Sequence, residues 1–281
     1  AAGDPEAFAQ LRARLRDRMA EIERLPLAVM NQALEGMTVR PAAGDLAKLT
    51  WIEGPGRRDG ATIVYIPGGS FVVGRSPRVT TLIAAMARRA GMPVLVCDYR
   101  LSPEHPCPAA IDDAVAAVRW LISQRIDPGS IAIAAESAGC AVALAAAQRL
   151  ASQGVRLGAL AFLSPWVDLT LSRTPPGLTD LTSVCAALYL DGRDPSDPVA
   201  SPLLGSFDGL PPIAIHASRG DPLFCDAAQL SQTAARAGLD VTLRVWPGGE
   251  HVFERYFNKD SERSVAELAD FLAARLTAPS A

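Results

Sequence analysis

The chain has 281 residues, of which 49% are hydrophobic and 20% charged, and its formal net charge is −3. This is the composition of a folded globular protein, and no stretch approaches the roughly 18 uninterrupted apolar residues that a membrane span needs. A slightly acidic chain has no bulk attraction for phosphate backbones, so nucleic acid is not expected as a partner.

A helix is predicted from Asp4 to Leu25 at the start of the chain. Asp4 is a good N-cap residue, Pro5 suits the first helical position, and apolar residues recur at helical spacing from Phe8 onward. These first residues lack the basic-then-apolar order of a signal peptide. We therefore expect a cytoplasmic protein.

After about residue 45 the sequence alternates between short β-rich runs and helical stretches. Strands that are apolar nearly throughout, each followed by a helix, indicate a mainly parallel sheet covered on both faces. The predicted strands are 62–66, 93–99, 130–135, 159–164, 212–217 and 241–246. The predicted helices lie near 77–90, 108–124, 138–153, 225–237 and 260–276.

One interval, residues 165–211, breaks this alternation. It is too long and too rich in proline for a simple connection, and it contains one predicted helix near 178–190. Insertions of this kind usually lie over the carboxyl ends of the strands, where ligands bind. We expect a single domain over 1–281, with residues 1–45 and part of 165–211 forming a helical cap.

The segment 130–150 places Ser137 at a short turn between a buried strand and an alanine-rich helix. A turn sharp enough to lift a serine hydroxyl above the sheet crowds its neighbours, so the positions two before and two after must be small. Ala135 and Gly139 meet this need, in a G-x-S-x-G pattern that has alanine at its first position. Ser137 is therefore a candidate nucleophile.

A serine nucleophile needs a base, usually a histidine that a carboxylate orients. His251 lies in a loop after the last predicted strand, whereas His105 precedes the serine and His216 lies inside a strand. Asp221, directly after the strand 212–217, occupies the place between serine and histidine that an orienting acid should have.

Two other carboxylates compete with Asp221 for that role. Asp226 is expected to begin a helix, and Glu250 adjoins the histidine too closely in sequence for a comfortable orienting bond. Either is more often a solvated carboxylate.

The motifs together resemble the hormone-sensitive-lipase family of bacterial esterases, in the α/β-hydrolase superfamily. The matching segments are PGGSFVVG (67–74), DYRLSPEHPCPAA (98–110), AESAGC (135–140), LPP (210–212), DPL (221–223) and GGEHVF (248–253). The resemblance covers nearly everything from about residue 60, in the family's order and spacing. It implies Ser137 as nucleophile, Asp221 as orienting acid and His251 as general base, below a cap. It also implies that Asp98, Tyr99, Arg100 and Glu104 serve mainly the fold around the site.

The stretch 67–70 resembles the family's oxyanion loop, HGGG, but Pro67 replaces the histidine and Ser70 the third glycine. Oxyanion stabilisation uses backbone N–H donors, each worth roughly 3–4 kcal/mol in comparable sites. We expect Gly69, Ser70 and Ala138 to supply them. If position 70 requires positive φ, serine is strained there by on the order of 1 kcal/mol.

These residues favour hydrolysis of a carboxylic ester or lactone with a short or medium acyl chain, through an acyl-enzyme. No metal or organic cofactor is expected. Five cysteines without a CxxC pair fit a reducing compartment. Only three histidines are present, none at ligand spacing from a cysteine pair, so a zinc site is not expected. The partner is a small-molecule ester or lactone, and homodimer formation is left open.

Two other readings use the same fold. In a lyase or dehydratase, the Ser70 hydroxyl and His251 would act without a covalent intermediate. A non-catalytic binding protein, similar to the plant gibberellin receptor, would have lost the histidine that this chain retains.

Overall fold

The structure is a computed structural model of the 281-residue chain. It describes residues 6, 10, 13, 14, 17, 27–42, 48–56, 60–172 and 179–276. The helix predicted from Asp4 to Leu25 therefore lies almost entirely outside the described residues.

One eight-stranded sheet runs through the molecule in the order β1-β2-β4-β3-β5-β6-β7-β8. The two pairings that involve β2 are antiparallel, and all the others are parallel. The strands are β1 (Thr38–Pro41), β2 (Lys48–Glu53), β3 (Thr62–Ile66), β4 (Val94–Asp98), β5 (Ile131–Glu136), β6 (Ala159–Leu163), β7 (Ile213–Ser218) and β8 (Val241–Trp246). The mostly parallel sheet that the apolar runs predict is thus present.

Seven α-helices lie among the described residues. They are α1 (Leu27–Leu34), α2 (Pro77–Ala90), α3 (Ala109–Ser123), α4 (Gly139–Ser152), α5 (Thr179–Leu190), α6 (Phe224–Arg236) and α7 (Lys259–Arg275). Helices α3, α4 and α6 share a hydrophobic core with one face of the sheet, and α2 and α7 share a second core with the other face. This is the α/β-hydrolase fold, with helices on both faces as predicted.

Local sequence explains the helix ends. The hydroxyl of Ser76 accepts the N–H of Val79 before α2, Pro77 occupies the first helical turn, and Gly91 closes the helix with φ of 65°. Asn258 caps α7 in the same way as Ser76 caps α2. Ser76 and Asn258 accept N–H groups that a helix start leaves without partners. Gly91 takes the left-handed conformation at the end of α2, which glycine adopts without strain.

The six strands and six helices predicted from residue 60 onward are all found, with ends that differ by about one residue. The sequence pattern missed β1 and β2. Thr38–Pro41 lies in the stretch assigned to the cap, but it pairs with β2 at the edge of the sheet, fully exposed. The helix predicted near 178–190 within the insertion is α5.

Candidate active site

The functional side chains predicted from sequence follow three different strands, at the end of the sheet where these strands finish. β5, β7 and β8 run parallel, so their carboxyl ends lie together. Ser137, Asp221 and His251 each come after one of these ends, and we call them the Ser–His–Asp cluster. Parallel strands thus bring together residues that are far apart in sequence.

Within the Ser–His–Asp cluster, His251 contacts both partners. Its Nε2 lies 2.8 Å from Ser137 Oγ, and its Nδ1 lies 3.1 Å from each carboxylate oxygen of Asp221. Ser137 and Asp221 are buried, while the histidine side chain remains 31% exposed. The arrangement can move a proton from a serine hydroxyl to an imidazole that a carboxylate orients.

The Asp221 carboxylate is held ionised by its surroundings. Burial by itself would raise its pKa, but the charge and hydrogen bond of His251, the Ser164 hydroxyl and the Leu223 N–H together lower the pKa below its ordinary value. The Leu223 N–H donates to Oδ1 at 2.8 Å. Asp221 therefore accepts hydrogen bonds as an anion.

Ser137 lies at a strained turn, as a nucleophile between a strand and a helix requires. Its φ is 51°, in the left-handed region that few residues other than glycine adopt. Two residues later there is no room for a side chain, because a Cβ on Gly139 would lie 2.3 Å from the carbonyl oxygen of Ile66 and 2.6 Å from that of Pro67. The turn therefore packs directly against the segment after β3.

Residues 67–74, the oxyanion loop, follow β3 beside this turn. Gly69 has φ of 119°, and a Cβ there would lie 2.0 Å from the Val73 carbonyl oxygen, so only glycine fits. Ser70 and Phe71 are also left-handed, with φ of 53° and 65°. Position 70 thus has the positive φ at which serine is strained.

Among the described residues, the predicted oxyanion donors have no hydrogen-bond partner within the protein. Within the part of the chain that the structure describes, the N–H groups of Gly69, Ser70 and Ala138 donate to no protein acceptor. Free, closely spaced N–H groups beside a serine are what an oxyanion site needs. Their role itself stays a prediction.

Helix α5 packs against the oxyanion loop. The Ser70 hydroxyl lies beside the Cys185 thiol, whose pKa burial raises to about 11, partly opposed by Ser70. One turn later the Tyr189 ring stacks on Phe71. The insertion thus touches the loop that carries the candidate donors, which supports its prediction as part of a cap.

The competing acids are engaged elsewhere. Asp226 accepts the N–H groups of Val167 and Asp168 at 2.8 and 3.0 Å. Glu250 is exposed and accepts the hydroxyl of Tyr256. Asp221, and not Asp226 or Glu250, therefore takes the orienting position beside the imidazole.

The other two histidines also have different settings. His105 is exposed in the loop between β4 and α3. His216 is buried in β7, where its Nδ1 lies 2.8 Å from the Ser264 hydroxyl, and burial lowers its pKa to about 4. A satisfied core histidine is what its position in a strand predicts.

Charged residues at the end of β4 and directly after it form ion pairs, as a structural network would. Arg75 binds both carboxylate oxygens of Asp98 at 2.9 Å, and Arg100 pairs with Asp113 at 2.9 Å. Tyr99, between them in sequence, is buried. These contacts support the prediction that Asp98, Tyr99 and Arg100 serve the fold; Glu104 is exposed, and for it the role stays a prediction.

Three residues around the cluster were missed by sequence reasoning. Ser164 donates to Asp221 and accepts the Val252 N–H at 3.0 Å, and Glu136 pairs with Arg255 beneath the turn. A serine directly after β6 and a carboxylate next to the candidate nucleophile were the available signals. Nothing in the spacing indicated that residues 119 positions apart would pair.

No described helix is long and apolar enough to cross a membrane. Among the same residues, no group of three or more histidine, cysteine, aspartate or glutamate side chains is arranged to hold a metal ion.

Comparison with known proteins agrees with this fold. A family model described as alpha/beta hydrolase fold matches residues 63–255. An acetyl-hydrolase of Streptomyces hygroscopicus is 40% identical, over 73% of this chain and 72% of its own length.

Two solved structures are similar over almost the whole chain. One is an esterase from the bacterial hormone-sensitive lipase family, with 30% identity, a TM-score of 0.83 and coverage of 99% of this chain and 100% of the other. The second is EstE5, in a crystal soaked with p-nitrophenyl butyrate, with 29% identity, a TM-score of 0.82 and coverage of 98% and 100%.

Proposed function

This chain belongs to the hormone-sensitive-lipase family of α/β-hydrolase-fold esterases, and on that premise we propose that it hydrolyses short-chain carboxylic esters through an acyl-enzyme on Ser137. Carboxylic ester hydrolysis is the activity common to its relatives. The proposal adds the residues, the covalent intermediate and the acyl-chain length.

The observation that carries the proposal is the position of His251. Its two ring nitrogens lie at hydrogen-bonding distance from a serine hydroxyl on one side and a buried carboxylate on the other. With Nδ1–H donated to Asp221, the unprotonated Nε2 faces Ser137. This is the tautomer that a general base needs.

In the first half of the reaction, Ser137 Oγ attacks the ester carbonyl carbon and its proton passes to His251 Nε2. The carbonyl oxygen becomes negative and accepts N–H groups of Gly69, Ser70 and Ala138. The carbon–oxygen bond to the alcohol then breaks, and His251 returns the proton to the departing alkoxide. Asp221 remains ionised and stabilises the imidazolium.

In the second half, water replaces the alcohol. His251 takes a proton from the water, whose oxygen attacks the acyl carbon, and the bond to Ser137 Oγ breaks as Oγ recovers a proton. The carboxylic acid leaves. A lactone would follow the same steps, except that the alcohol stays attached to the acyl group throughout and the product leaves as a single hydroxy acid.

The assignment of a short acyl group draws on the names of three similar proteins. One is named an acetyl-hydrolase, another from Pseudomonas putida is named an ethyl acetate hydrolase, and EstE5 was soaked with a butyrate ester. Kinetics on p-nitrophenyl acetate, butyrate and octanoate, together with a simple γ-lactone, test the substrate class. We expect kcat/KM to be highest for acetate or butyrate. A maximum at octanoate would overturn the short-chain assignment.

Labelling with an organophosphonate tests the acyl-enzyme. Intact protein should gain one adduct, located on Ser137, and Ser137→Ala should gain none and lose esterase activity. Ser123→Ala, which removes an exposed serine at the end of α3, is the matched control and should label normally. Equal labelling of Ser137→Ala, or background ester turnover by folded wild-type protein, would overturn the proposal.

A further inference from the structure

A second buried polar cluster, outside the Ser–His–Asp cluster, joins three segments of the site. Glu136 is fully buried at the last position of β5, directly before Ser137. Its carboxylate accepts the Gly68 N–H at 3.2 Å and forms a two-point ion pair with Arg255, with Nε–Oε2 and Nη2–Oε1 distances of 2.9 and 2.7 Å. One side chain thus contacts two segments of the site and belongs to the third.

Each partner of this carboxylate is close in sequence to a group that the reaction uses. Gly68 directly precedes Gly69, a candidate oxyanion donor. Arg255 lies four residues after His251, in the short 3₁₀ helix Phe253–Tyr256. The main-chain oxygen of Arg255 in turn accepts Arg78 Nη1 at 3.1 Å, which anchors this helix to α2.

The packing around the pair leaves little space for adjustment. A Cβ on Gly68 would lie 3.0 Å from both the Glu136 carbonyl oxygen and Ser137 Cβ, and 3.4 Å from Arg255 Nη2. Interiors packed this tightly transmit a displacement rather than absorb it. A shift of the Glu136 carboxylate would therefore move the oxyanion loop relative to Ser137.

Net stability is not a sufficient reason to bury this pair. Removing two charges from water often cancels their attraction, and well-packed apolar residues of similar volume frequently do as well or better. The two-point guanidinium–carboxylate contact instead fixes distance and orientation. A buried pair at the junction of three reacting segments suits that second role.

We propose that Glu136 and Arg255 are positioning residues, which set the oxyanion donors, the Ser137 turn and the His251 segment at their working distances. The inference rests on the proposed function, because it assumes that these segments perform ester hydrolysis. A displacement of about 1 Å in such a site can cost on the order of 100-fold in rate. The effect should fall on kcat and leave KM nearly unchanged.

Glu136→Gln tests the proposal, with Glu53→Gln as its matched control. Glu53 is likewise buried and binds an arginine, Arg40, through two contacts of 3.0 and 3.3 Å. It lies in the pairing of β1 with β2, at the β1 edge of the sheet. We expect Glu136→Gln to lower kcat on p-nitrophenyl butyrate by about 10- to 100-fold, with KM within about twofold. Glu53→Gln should retain wild-type kcat. Equal kcat in all three proteins would overturn the proposal.

Loss of one partner leaves the other charge buried and alone, so Glu136→Gln could fail to fold. The double variant Glu136→Leu/Arg255→Met removes both charges and avoids this problem. A positioning role predicts that its thermal unfolding midpoint stays near wild type while kcat remains low. Recovery of kcat together with the midpoint would mean that the pair is only structural, and would overturn the proposal.

Rescue by conservative substitution gives an independent readout. Arg255→Lys keeps the charge but not the two-point contact, so its kcat should lie between those of wild type and Arg255→Met. Active wild-type protein whose activity disappears in Ser137→Ala supports the proposed function whatever these variants show. Failure of the positioning role and failure of the proposed function are thus distinguishable.

Discussion

The Tyr189 ring of α5 stacks on Phe71 of the oxyanion loop, with ring centroids 3.9 Å apart and planes inclined by 15°. Phe71 also contacts Trp166, with ring centroids 5.4 Å apart, so the loop residue packs against two aromatic side chains. Because Phe71 follows the candidate donor Ser70, this contact couples the insertion to the oxyanion loop.

Removal of that ring should affect both stability and turnover. Tyr189 is 1% exposed, and truncation of a large buried aromatic side chain typically costs about 3–5 kcal/mol. We expect Tyr189→Ala to lower kcat more than it raises KM, since the loop loses its support. Tyr189→Phe retains the ring and should keep most activity. Steady-state kinetics and urea unfolding check this, and wild-type kcat in a folded Tyr189→Ala protein would contradict it.

The left-handed backbone at Ser70 predicts a difference between two small substitutions. Ser70→Gly and Ser70→Ala both remove the hydroxyl and keep the N–H group, but only glycine adopts φ of 53° without strain. Ser70→Gly should therefore be more stable than Ser70→Ala by about 1 kcal/mol.

Both Ser70 variants should still hydrolyse p-nitrophenyl butyrate within a few-fold of the wild-type rate. Urea unfolding and kinetics on the same samples provide the measurement. Loss of activity in both would show that the hydroxyl, and not only the backbone, takes part in the reaction.

Gly139 should tolerate no side chain. Its Cβ would meet two backbone carbonyl oxygens at 2.3 and 2.6 Å, and backbone cannot move aside as the end of a flexible side chain can. We expect Gly139→Ala to lower the unfolding midpoint and to reduce kcat at least tenfold, because the Ser137 turn must move.

Gly54→Ala is the control for this substitution. Its Cβ would meet nothing closer than 3.5 Å, at Met37 Sδ. It should unfold and turn over like wild type, as measured by thermal unfolding and the same assay. A Gly139→Ala protein that matched Gly54→Ala would contradict the close approach.

A buried glutamate below the site makes stability depend on pH. Burial raises the pKa of Glu254 to about 8, even though the Ser264 hydroxyl donates to it at 2.7 Å. In the unfolded chain this carboxyl loses its proton near its ordinary pKa of 4.5, so between about pH 4.5 and 8 the folded state binds more protons than the unfolded state. The free energy of unfolding should therefore fall as pH rises through this window.

Glu254→Gln cannot release a proton and should lack this dependence. We expect its free energy of unfolding, relative to wild type, to increase from pH 5 to pH 8. His216 is linked to Glu254 through the Ser264 hydroxyl. Its effect on the free energy of unfolding has the opposite sign: burial lowers its pKa to about 4, so the free energy of unfolding falls as pH falls below 6.5. Urea unfolding of wild type, Glu254→Gln and the exposed control Glu262→Gln at pH 5, 6.5 and 8 isolates the glutamate. Parallel curves for all three would refute the assignment.

Sequence patterns predicted the parallel part of the sheet well, because the strands from β3 to β7 are buried on both faces and read as continuous apolar runs. TIVYI, which became β3, is buried at every position. β1 reads TVRP, is exposed at every position and contains a proline, so neither hydrophobicity nor strand propensity marked it. Edge strands of this kind form because a neighbour offers hydrogen bonds, and no local signal records that.

The residues of the site likewise differ in whether a local sequence signal marked them. Ser137, Asp221 and His251 could be selected because each follows a strand end and has the right chemistry, and the structure brings their side chains together. The sequence indicated strain at Ser70 only on the condition that its φ is positive. Contacts such as Glu136 with Arg255, or Cys185 with Ser70, join segments whose approach depends on the packing of the entire sheet and insertion, and sequence spacing gave no means to anticipate them.

The backbone of the oxyanion loop has a directional polarity. The Gly69 carbonyl oxygen accepts the N–H groups of both Val72 and Val73, at 3.0 and 2.8 Å, and the Phe71 carbonyl oxygen accepts the Ser102 N–H at 2.9 Å. These two carbonyl oxygens are used internally, whereas the N–H groups of Gly69 and Ser70 bind no acceptor among the described residues. Toward a bound molecule, Gly69 and Ser70 therefore offer N–H donors, while the carbonyl oxygens of Gly69 and Phe71 are already occupied. An oxygen that accepts hydrogen bonds, such as the carbonyl oxygen of an ester, would gain partners there, whereas the hydrogen of an alcohol would meet carbonyl oxygens at Gly69 and Phe71 that are already engaged.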